Sequence, residues 1–311
     1  MPKFSVVISV YNKAGFIAAT LDSVMVQTNQ DFEVVLLNDG STDESESIMR
    51  TYLTDPRVRL YSEENKGAAA GRNYVIQKAE GDYIALLDAD DYWKPNYLAE
   101  HARLIEKYPN EFVYATNSEV ISKGKTIQRD YSVAIDTGED MVFDYFEASY
   151  LDSILHSSTT VVKKEAFDAV GLYNPRIRSG QDTDLYVRLG LKYPVVFSPK
   201  VCVQYLIIEN SLFRSSKKLS HKPTFEAYEK FEAENQGLKK FLDLSRYSLC
   251  IIAKLEGNKE GFEALHKKID PENLNKKQRF LLRQSQKNLK QLLKLKNSIA
   301  QLGIKLSSFK W

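Results

Sequence analysis

The 311-residue sequence lacks the usual features of secreted and membrane-spanning proteins. It has only two cysteines, Cys202 and Cys250, which lie far apart and do not suggest a disulfide framework. Its first residues lack the long apolar region of a signal peptide. No uncharged apolar run approaches the roughly 20 residues that cross a bilayer. We therefore expect a cytoplasmic protein with reduced thiols.

The sequence also lacks the glycine-rich loops that hold phosphates in many nucleotide-binding proteins. Neither G-x-G-x-x-G nor G-x-x-x-x-G-K-S/T follows the first predicted strand. A nucleoside diphosphate bound by this chain would then need a metal ion, rather than a glycine cradle, to screen its charge.

Acidic residues are missing from the last part of the chain. Residues 276–311 contain ten Lys or Arg and no Asp or Glu, whereas residues 1–275 contain 33 basic and 41 acidic residues, a net charge of −8. This asymmetry favours an anionic partner for the tail. The hydrophobic content of 43% is that of a folded chain rather than a disordered one.

Short apolar runs alternate with helical patterns in the first half of the chain. Strands are predicted at residues 4–10, 32–37, 58–61 and 83–87, with helices between them. This alternation is typical of an α/β fold with a mostly parallel sheet and helices on both faces. Residues 118–150 show no clear period, and we interpret them as an insertion at the rim of a site.

Polar side chains follow three of these strands. They are Tyr11 with Asn12, then Asp39, then Asp88 with Asp90 and Asp91. If the strands are parallel, all three groups lie at one edge of the sheet, where a nucleotide binds in open α/β folds. Neighbouring carboxylates repel one another, so the third group predicts a site for a divalent cation. The alternative is an acidic, solvated turn that starts the next helix.

Four segments in order resemble family 2 inverting glycosyltransferases of the GT-A fold. They read SVVISVYN at residues 5–12, VVLLNDGSTD at 34–43, NKGAAAGRN at 65–73 and LDADD at 87–91. The resemblance covers about residues 3–210. It implies a Rossmann-like GT-A domain at residues 1–215, with a nucleotide-sugar half (1–117) and an acceptor half (118–215). Residues 216–311 are expected to form a helical extension with a basic amphipathic tail at 276–311.

The resemblance also implies the residues of the donor site. Asp90 would bind Mn²⁺ or Mg²⁺, and Asp88 would lie near the ribose. The residues expected to bind the nucleotide sugar are Ser9, Tyr11, Asn12, Asp39, Arg72, Asp88 and Ala89. For Tyr11 the alternative is packing at a strand end, and for Arg72 it is a surface cation on a helix.

A second polar segment begins at Gln181 and Asp182. Leu185 and Leu189 mark the buried face of a helix, so Asp182 falls in its first turn, where the helix dipole favours an ionised carboxylate. Such a group can take a proton from an acceptor hydroxyl. The segment resembles the Glu-Asp motif of the family, which makes Asp182 the catalytic base. The neutral Gln181 replaces the Glu and is a candidate acceptor contact. For Asp182 the alternative is a helix cap.

The sequence does not identify a third metal ligand. Many relatives carry an Arg-x-His segment where residues 203–210 read VQYLIIEN, without histidine. His156 is a substitute ligand in one interpretation, and a structural residue or a contact to the acceptor in the other.

These observations predict a metal-dependent inverting glycosyltransferase that moves a sugar, with a UDP-sugar favoured, to a hydroxyl of a glycan or lipid-linked acceptor. One alternative is a phosphotransferase with a D-x-D pair, which would lack its Thr and Lys partners here. The other is a non-catalytic module that binds sugar nucleotides or polysaccharides.

The basic tail has two interpretations. It is either an in-plane anchor at the anionic inner face of the cell membrane, or a helix packed on the catalytic domain with its basic face in water. Nucleic acid is not an expected partner, because aromatic stacking residues are not interleaved with the basic ones.

Overall fold

A computed structural model of the chain describes residues 3–122, 125–206, 218–301 and 307–308. A mixed central sheet contains the strands β1 Phe4–Val10, β2 Phe32–Asp39, β3 Val58–Glu63, β4 Tyr83–Leu86, β5 Tyr92–Trp93, β6 Val113–Ser122, β7 Lys125–Gln128, β8 Met141–Phe143, β9 Thr160–Lys163 and β10 Val195–Leu206.

Helices surround this sheet and continue beyond it. They are α1 Ile17–Met25, α2 Ser45–Arg50, α3 Ala68–Lys78, α4 Tyr97–Lys107, α5 Tyr145–Ala148, α6 Ala166–Val170, α7 Gln181–Gly190, α8 Gln236–Glu256, α9 Lys259–His266, α10 Lys276–Arg283 and α11 Gln286–Gln301. The α/β fold with a C-terminal helical extension is confirmed.

The strand order explains how the sheet builds an edge for a site. The order is β3-β2-β1-β4-β9-β6-β10-β5, with β7 beside β6 and β8 beside β10. Strands β3, β2, β1 and β4 are parallel neighbours, and β6 is parallel to β10, whereas β9 runs antiparallel between β4 and β6. The carboxyl ends of β1, β2 and β4 therefore meet at one edge. The prediction that the three polar groups share this edge is confirmed.

Alternating side chains on the buried strands fill a core on each face of the sheet. On β1, Val6 and Ile8 pack with helices α1 and α4, whereas Val7 packs with α3. β-branched residues suit this position because they pack well on a pleated surface that is buried on both sides. Helices on both faces are thus explained by the side-chain alternation.

Residues 118–150 are more regular than their sequence pattern indicates. They contain the end of β6 together with β7, β8 and α5. Strands β7 and β8 pair with one neighbour each, so their residues are only partly covered and show no clean alternation. The region therefore has regular elements although its sequence shows no clear period, and its place as an insertion at the rim of the site stays a prediction.

The helical extension begins in the core of the acceptor half. Asn235 caps α8 by accepting a hydrogen bond from the backbone N–H of Leu238 at 2.8 Å. Leu238 and Phe241 are buried in the same cluster as Tyr145 and Phe146 of α5. The predicted boundary at residue 215 lies outside the described residues and stays a prediction.

The basic tail forms two helices rather than one. Helix α10 ends at Arg283, and α11 begins at Gln286. Leu282 and Leu289 are buried, but Phe280, Leu292, Leu293 and Leu295 are exposed. The tail therefore packs on the domain with only part of its apolar surface. Among the described residues, no helix has the length and apolar composition needed to cross a membrane.

Candidate active site

The loops after β1 and β2 are tied to each other at the sheet edge. Asn12 adopts a left-handed backbone with φ of 51°. Its backbone N–H donates to Ser41 Oγ at 3.1 Å, and its Oδ1 accepts from the Thr42 backbone N–H at 2.8 Å. The ring of Tyr11 is 47% exposed, so it is not used for packing at the strand end. The alternative of strand-end packing is therefore wrong for Tyr11, and its contact with a nucleotide stays a prediction.

Asp39 lies at the end of β2 and holds the start of the next helix. Its carboxylate accepts from the backbone N–H groups of Lys66 at 2.9 Å and Gly67 at 3.2 Å. The side chain is 2% exposed. These bonds fix the loop that leads into α3, while the contact of Asp39 with a base stays a prediction.

Helix α3 carries Arg72 against the sheet. Gly71 allows this approach, because a Cβ at that position would lie 2.2 Å from Ser9 Oγ. Arg72 donates to Asp88 Oδ1 at 2.6 Å, and its Nη1 lies 3.5 Å from Asp182 Oδ1. Its side chain is 15% exposed, so the alternative of a surface cation is wrong. Arg72 therefore joins the donor edge of the sheet to α7.

Asp182 lies at the start of α7, as its sequence position predicts. The residue before the helix is Gly180, with φ of 89°, and no side chain caps this terminus. The capping alternative for Asp182 is therefore wrong. Ser157 Oγ donates to Asp182 Oδ1 at 3.2 Å, and the Asp182 side chain is 33% exposed.

The two carboxylates beside Arg72, those of Asp88 and Asp182, differ in the direction of their pKa shifts. Burial raises the pKa of Asp182 above its usual value, although Arg72 opposes the shift. Burial alone would also raise the pKa of Asp88, but Arg72 and His156 outweigh it and the pKa is lowered. Asp88 is thus the more strongly ionised partner of Arg72, and Asp182 is the more basic carboxylate.

The carboxylates that follow β4 contact two different sets of partners. Asp90 Oδ2 lies 2.5 Å from Lys13 Nζ. Asp88, Asp91 and His156 instead bring one ligand atom each to within 4.8 Å of one another, a group that could hold a cation. Asp91 is fully buried and accepts from Ser158 Oγ at 2.5 Å. The expected ligand Asp90 lies outside this group and is paired with Lys13 instead.

His156 lies beside the acidic group and is neutral at ordinary pH. Its Nδ1 accepts from the Ser158 backbone N–H at 3.4 Å, and its ring contacts the edge of Tyr205 with 4.7 Å between centroids. Burial, and then Arg129, lower the pKa of His156 to about 4. Neutral imidazole is the form that ligates metals, and a set of oxygen and imidazole donors suits Mn²⁺.

Several buried polar atoms around Asp182 make no hydrogen bond within the described part of the chain. They belong to Arg72 (Nη1), Tyr173 (OH), Gln181 (Oε1) and Tyr186 (OH). The hydroxyls of Tyr173 and Tyr186 nevertheless lie near Asp182 and Ser157, so Gln181 Oε1 and Arg72 Nη1 are the atoms most available to a bound group. Ala89 differs: it is 4% exposed, and its carbonyl accepts from Thr20 Oγ1 at 3.1 Å.

Sequence reasoning missed four side chains of this site. Lys13, Ser157, Ser158 and Tyr173 contact the predicted residues from loops that carry no motif. The polar run before β9, at residues 156–160, was the one available signal for the two serines.

Comparison with known proteins decides the family. The model of glycosyl transferase family 2 matches residues 5–171, more than half of the chain. The chain belongs to glycosyl transferase family 2. The resemblance of the four sequence segments to this family is confirmed.

Two relatives show how far the similarity extends. An uncharacterized glycosyltransferase of Rickettsia felis is 30% identical over 61% of this chain, and the match spans only 30% of that protein's length. TuaG of Bacillus subtilis, named for a role in teichuronic acid biosynthesis, is 28% identical over 74% of this chain and 89% of its own.

Solved structures of other glycosyltransferases share the fold. S. aureus TarS (residues 1–349) in complex with UDP-GlcNAc has a TM-score of 0.59 at 17% identity, covering 85% of this chain and 90% of that one. The mannosyltransferase PcManGT of Pyrobaculum calidifontis, in complex with GDP-Man and Mn²⁺, has a TM-score of 0.55 at 16% identity, covering 86% and 74%. At these identities the likeness supports the GT-A fold.

Proposed function

We propose that this family 2 member is a metal-dependent, inverting glycosyltransferase. The observation that carries the proposal is the position of Arg72 between Asp88, at 2.6 Å, and Asp182, at 3.5 Å. One cleft then contains the end of the donor strand and a carboxylate at the start of a separate helix. A sugar bound between them could reach both.

In this proposal Asp182 takes the proton from the acceptor hydroxyl while that oxygen attacks the anomeric carbon. Attack from the face opposite the leaving nucleotide inverts the anomeric configuration. The raised pKa of Asp182, caused by burial, suits a base that must hold the transferred proton. Ser157 and Arg72 hold the carboxylate in place. The cation of Arg72 also reaches the donor side, where a diphosphate would lie.

Asp90 stays our first candidate for the metal ligand, with Asp88, Asp91 and His156 beside it. The donor set fits a divalent cation, because the carboxylates of Asp88 and Asp91 meet the imidazole of His156, and Asp90 follows the same strand. A bound Mn²⁺ or Mg²⁺ would stabilise negative charge on the leaving nucleoside diphosphate. Lys13 would have to leave Asp90, and it would then be free to pair with a phosphate.

The donor and acceptor classes are supported by relatives. TarS binds UDP-GlcNAc in its solved complex, which supports a UDP-sugar donor, with Tyr11 against the base. TuaG is named for polysaccharide biosynthesis, which supports a glycan or lipid-linked acceptor. The alternative, a non-catalytic sugar-nucleotide or polysaccharide-binding module, predicts donor binding without release of the nucleotide.

A donor screen tests the proposal. UDP-, GDP- and dTDP-sugars are incubated with the full chain and Mn²⁺ or EDTA, and nucleoside diphosphate release is measured. We expect release from one donor class, faster with Mn²⁺ and lost with EDTA. Tight donor binding with no release, even with a mixture of oligosaccharide acceptors, would favour the non-catalytic module.

We also propose that the C-terminal helices hold the enzyme at an anionic membrane surface on the cytoplasmic side. Residues 276–301 contain eight Lys or Arg and no acidic residue. Phe280 is 56% and Leu295 57% exposed, and together with Leu292 they line an open hollow of about 410 Å³ along α10 and α11.

Most of the charges and the apolar side chains of α11 lie on different faces. Lys287, Lys290 and Lys294 recur at helical spacing on one side of the helix and Leu292 lies on the other, whereas Lys296 falls on the same side as Leu292. All residues from 290 to 296 are exposed, so the described residues leave this part of α11 largely uncovered. An apolar face bordered by lysines suits the headgroup region of an anionic bilayer.

A further inference from the structure

The entrance to α7 is built from two basic segments that meet beside the candidate base. The first, residues 174–180, leads directly into Gln181 and Asp182. The second, residues 218–223, packs against it: the Ser179 backbone N–H donates to the His221 carbonyl at 3.0 Å, and Lys222 Nζ donates to Ser179 Oγ at 2.7 Å. Gly180 fits closely, since a Cβ there would lie 3.2 Å from Pro223.

Neither segment contains an acidic residue. Residues 174–180 contain Arg176 and Arg178, and residues 218–223 contain Lys218 and Lys222, in a part of the chain whose overall charge is negative. Arg176 and Arg178 are exposed, as is Lys218. Neither arginine has an ion-pair partner among the described residues. The two arginines therefore carry exposed charge only a few residues before Asp182 in the chain.

The buried side of the same entrance is neutral and incompletely bonded. Gln181 is only 9% exposed, and its Oε1 has no hydrogen-bond partner in the described part of the chain. Asp184, one turn later, is neutralised by Arg188 at 2.8 Å and accepts from the Tyr228 hydroxyl at 2.5 Å. Asp182 is thus the carboxylate that the entrance presents, with Arg72 Nη1 at 3.5 Å and the amide of Gln181, whose oxygen is unused, next to it in the chain.

We propose that this entrance is an acceptor subsite for an acidic glycan, one that carries a carboxylate or a phosphate near the hydroxyl to be glycosylated. Arg176, Arg178 and Lys222 contact the anionic group, and Gln181 accepts a hydrogen bond from a sugar hydroxyl. A neutral amide at position 181 suits such an acceptor, because a carboxylate there would repel it. This inference rests on the proposed glycosyltransferase function and specifies its acceptor.

Binding of defined oligosaccharides tests the subsite. The full chain, saturated with UDP and Mn²⁺, is titrated with fluorescently labelled hyaluronan hexasaccharide, with a ribitol-phosphate hexamer and with neutral maltohexaose. We expect one of the two anionic oligomers to bind at least tenfold more tightly than maltohexaose, with affinity falling as salt rises. Which oligomer binds separates a carboxylate from a phosphate acceptor.

Two variants localise the effect. The double variant Arg176→Gln/Arg178→Gln should reduce the preference for the anionic oligomer about tenfold while UDP affinity stays within twofold. The matched control Arg279→Gln/Arg283→Gln removes the same charge from α10 and should leave the preference unchanged. The variant Gln181→Glu should weaken the anionic oligomer more than maltohexaose.

Two results overturn the inference. One is equal affinity for the neutral and anionic oligomers. The other is that both double variants lose the preference for the anionic oligomer to the same extent, which would indicate nonspecific electrostatic attraction. If UDP-sugar turnover is present in either case, the acceptor assignment alone fails. If the chain neither binds UDP nor releases it from any donor, the proposed function fails first.

Discussion

At the scale of single residues, the acidic end of β4 is where sequence and structure differ most. The D-x-D pattern correctly predicted a concentration of carboxylates at a sheet edge. It did not predict that Lys13 pairs with Asp90, because the two residues lie 77 positions apart and Lys13 belongs to no motif. The sequence offered His156 only as one of two interpretations, a substitute metal ligand, and in the structure His156 lies beside Asp88 and Asp91.

Manganese binding distinguishes the possible ligands. We expect Asp90→Asn to weaken Mn²⁺ binding at least tenfold, because it removes a charged oxygen donor from the acidic corner. His156→Ala should weaken it less, since a neutral imidazole adds no charge. Mn²⁺ electron paramagnetic resonance measures both, with His221→Ala as the control. Unchanged affinity in Asp90→Asn together with a loss in His156→Ala would move the ion to the group formed by Asp88, Asp91 and His156.

At the scale of elements, strands and helices with strong periodicity could be predicted from the sequence. The contacts between elements that lie far apart in the chain could not. Strand β4 has an uninterrupted apolar run, β1 and β2 are mostly apolar, and α7 begins where its leucine spacing indicates. The amphipathic pattern after residue 276 could not show the break between α10 and α11. It also could not show which leucines α8 covers, since that depends on tertiary packing.

One helix is attached to the sheet by an ionic cluster that no motif indicates. Glu100 of α4 is 5% exposed and accepts from Ser198 Oγ at 2.8 Å and Lys200 Nζ at 2.7 Å, both of β10. Burial would raise the pKa of Glu100, but hydrogen bonds from Arg103, Lys200 and Ser198 lower it to about 2. The ionised carboxylate therefore stabilises the folded chain at neutral pH.

We expect Glu100→Gln to lower the free energy of unfolding at pH 7 by about 2 kcal/mol, through lost charge-assisted hydrogen bonds. Because the folded pKa is lowered, this contribution is present above the ordinary value of 4.5 and is lost as pH falls toward about 2. Urea unfolding at pH 7, 5, 4 and 3 measures the difference, with the exposed Glu106→Gln as control. A difference that is constant over this range would contradict the ionic role.

At the scale of the whole molecule, a family 2 catalytic fold is followed by a helical extension whose surface is basic and partly apolar. The family resemblance ends near residue 210 and predicts nothing about the extension. The charge and the periodicity of residues 216–311 did predict a helical extension with a basic tail. The extension contributes Leu238 and Phe241 to the core of the acceptor half, so it is part of the folded unit. Its last helices nevertheless leave leucines and a phenylalanine in solvent.

Membrane binding should depend on these exposed leucines. We expect Leu292→Gln/Leu295→Gln to reduce binding to vesicles of phosphatidylglycerol and phosphatidylcholine about tenfold or more, since burying each leucine contributes about 1 kcal/mol or more. Co-sedimentation measures the bound fraction, and Leu53→Gln, at an exposed leucine far along the chain, is the control. If the exposed leucines instead pair two copies of the chain, the wild type would be a dimer that binds vesicles only weakly. The same double variant would then reduce the dimer fraction measured by light scattering and leave vesicle binding unchanged.

The central claim is that Asp182 and the donor edge of the sheet serve one reaction. The most direct measurement compares turnover and donor binding in the wild type and in Asp182→Asn, which keeps the size of the side chain. We predict a fall in turnover of roughly 10²–10⁴-fold with donor affinity nearly unchanged, as for loss of a general base. Turnover at the wild-type rate would contradict the account and remove Asp182 from the reaction.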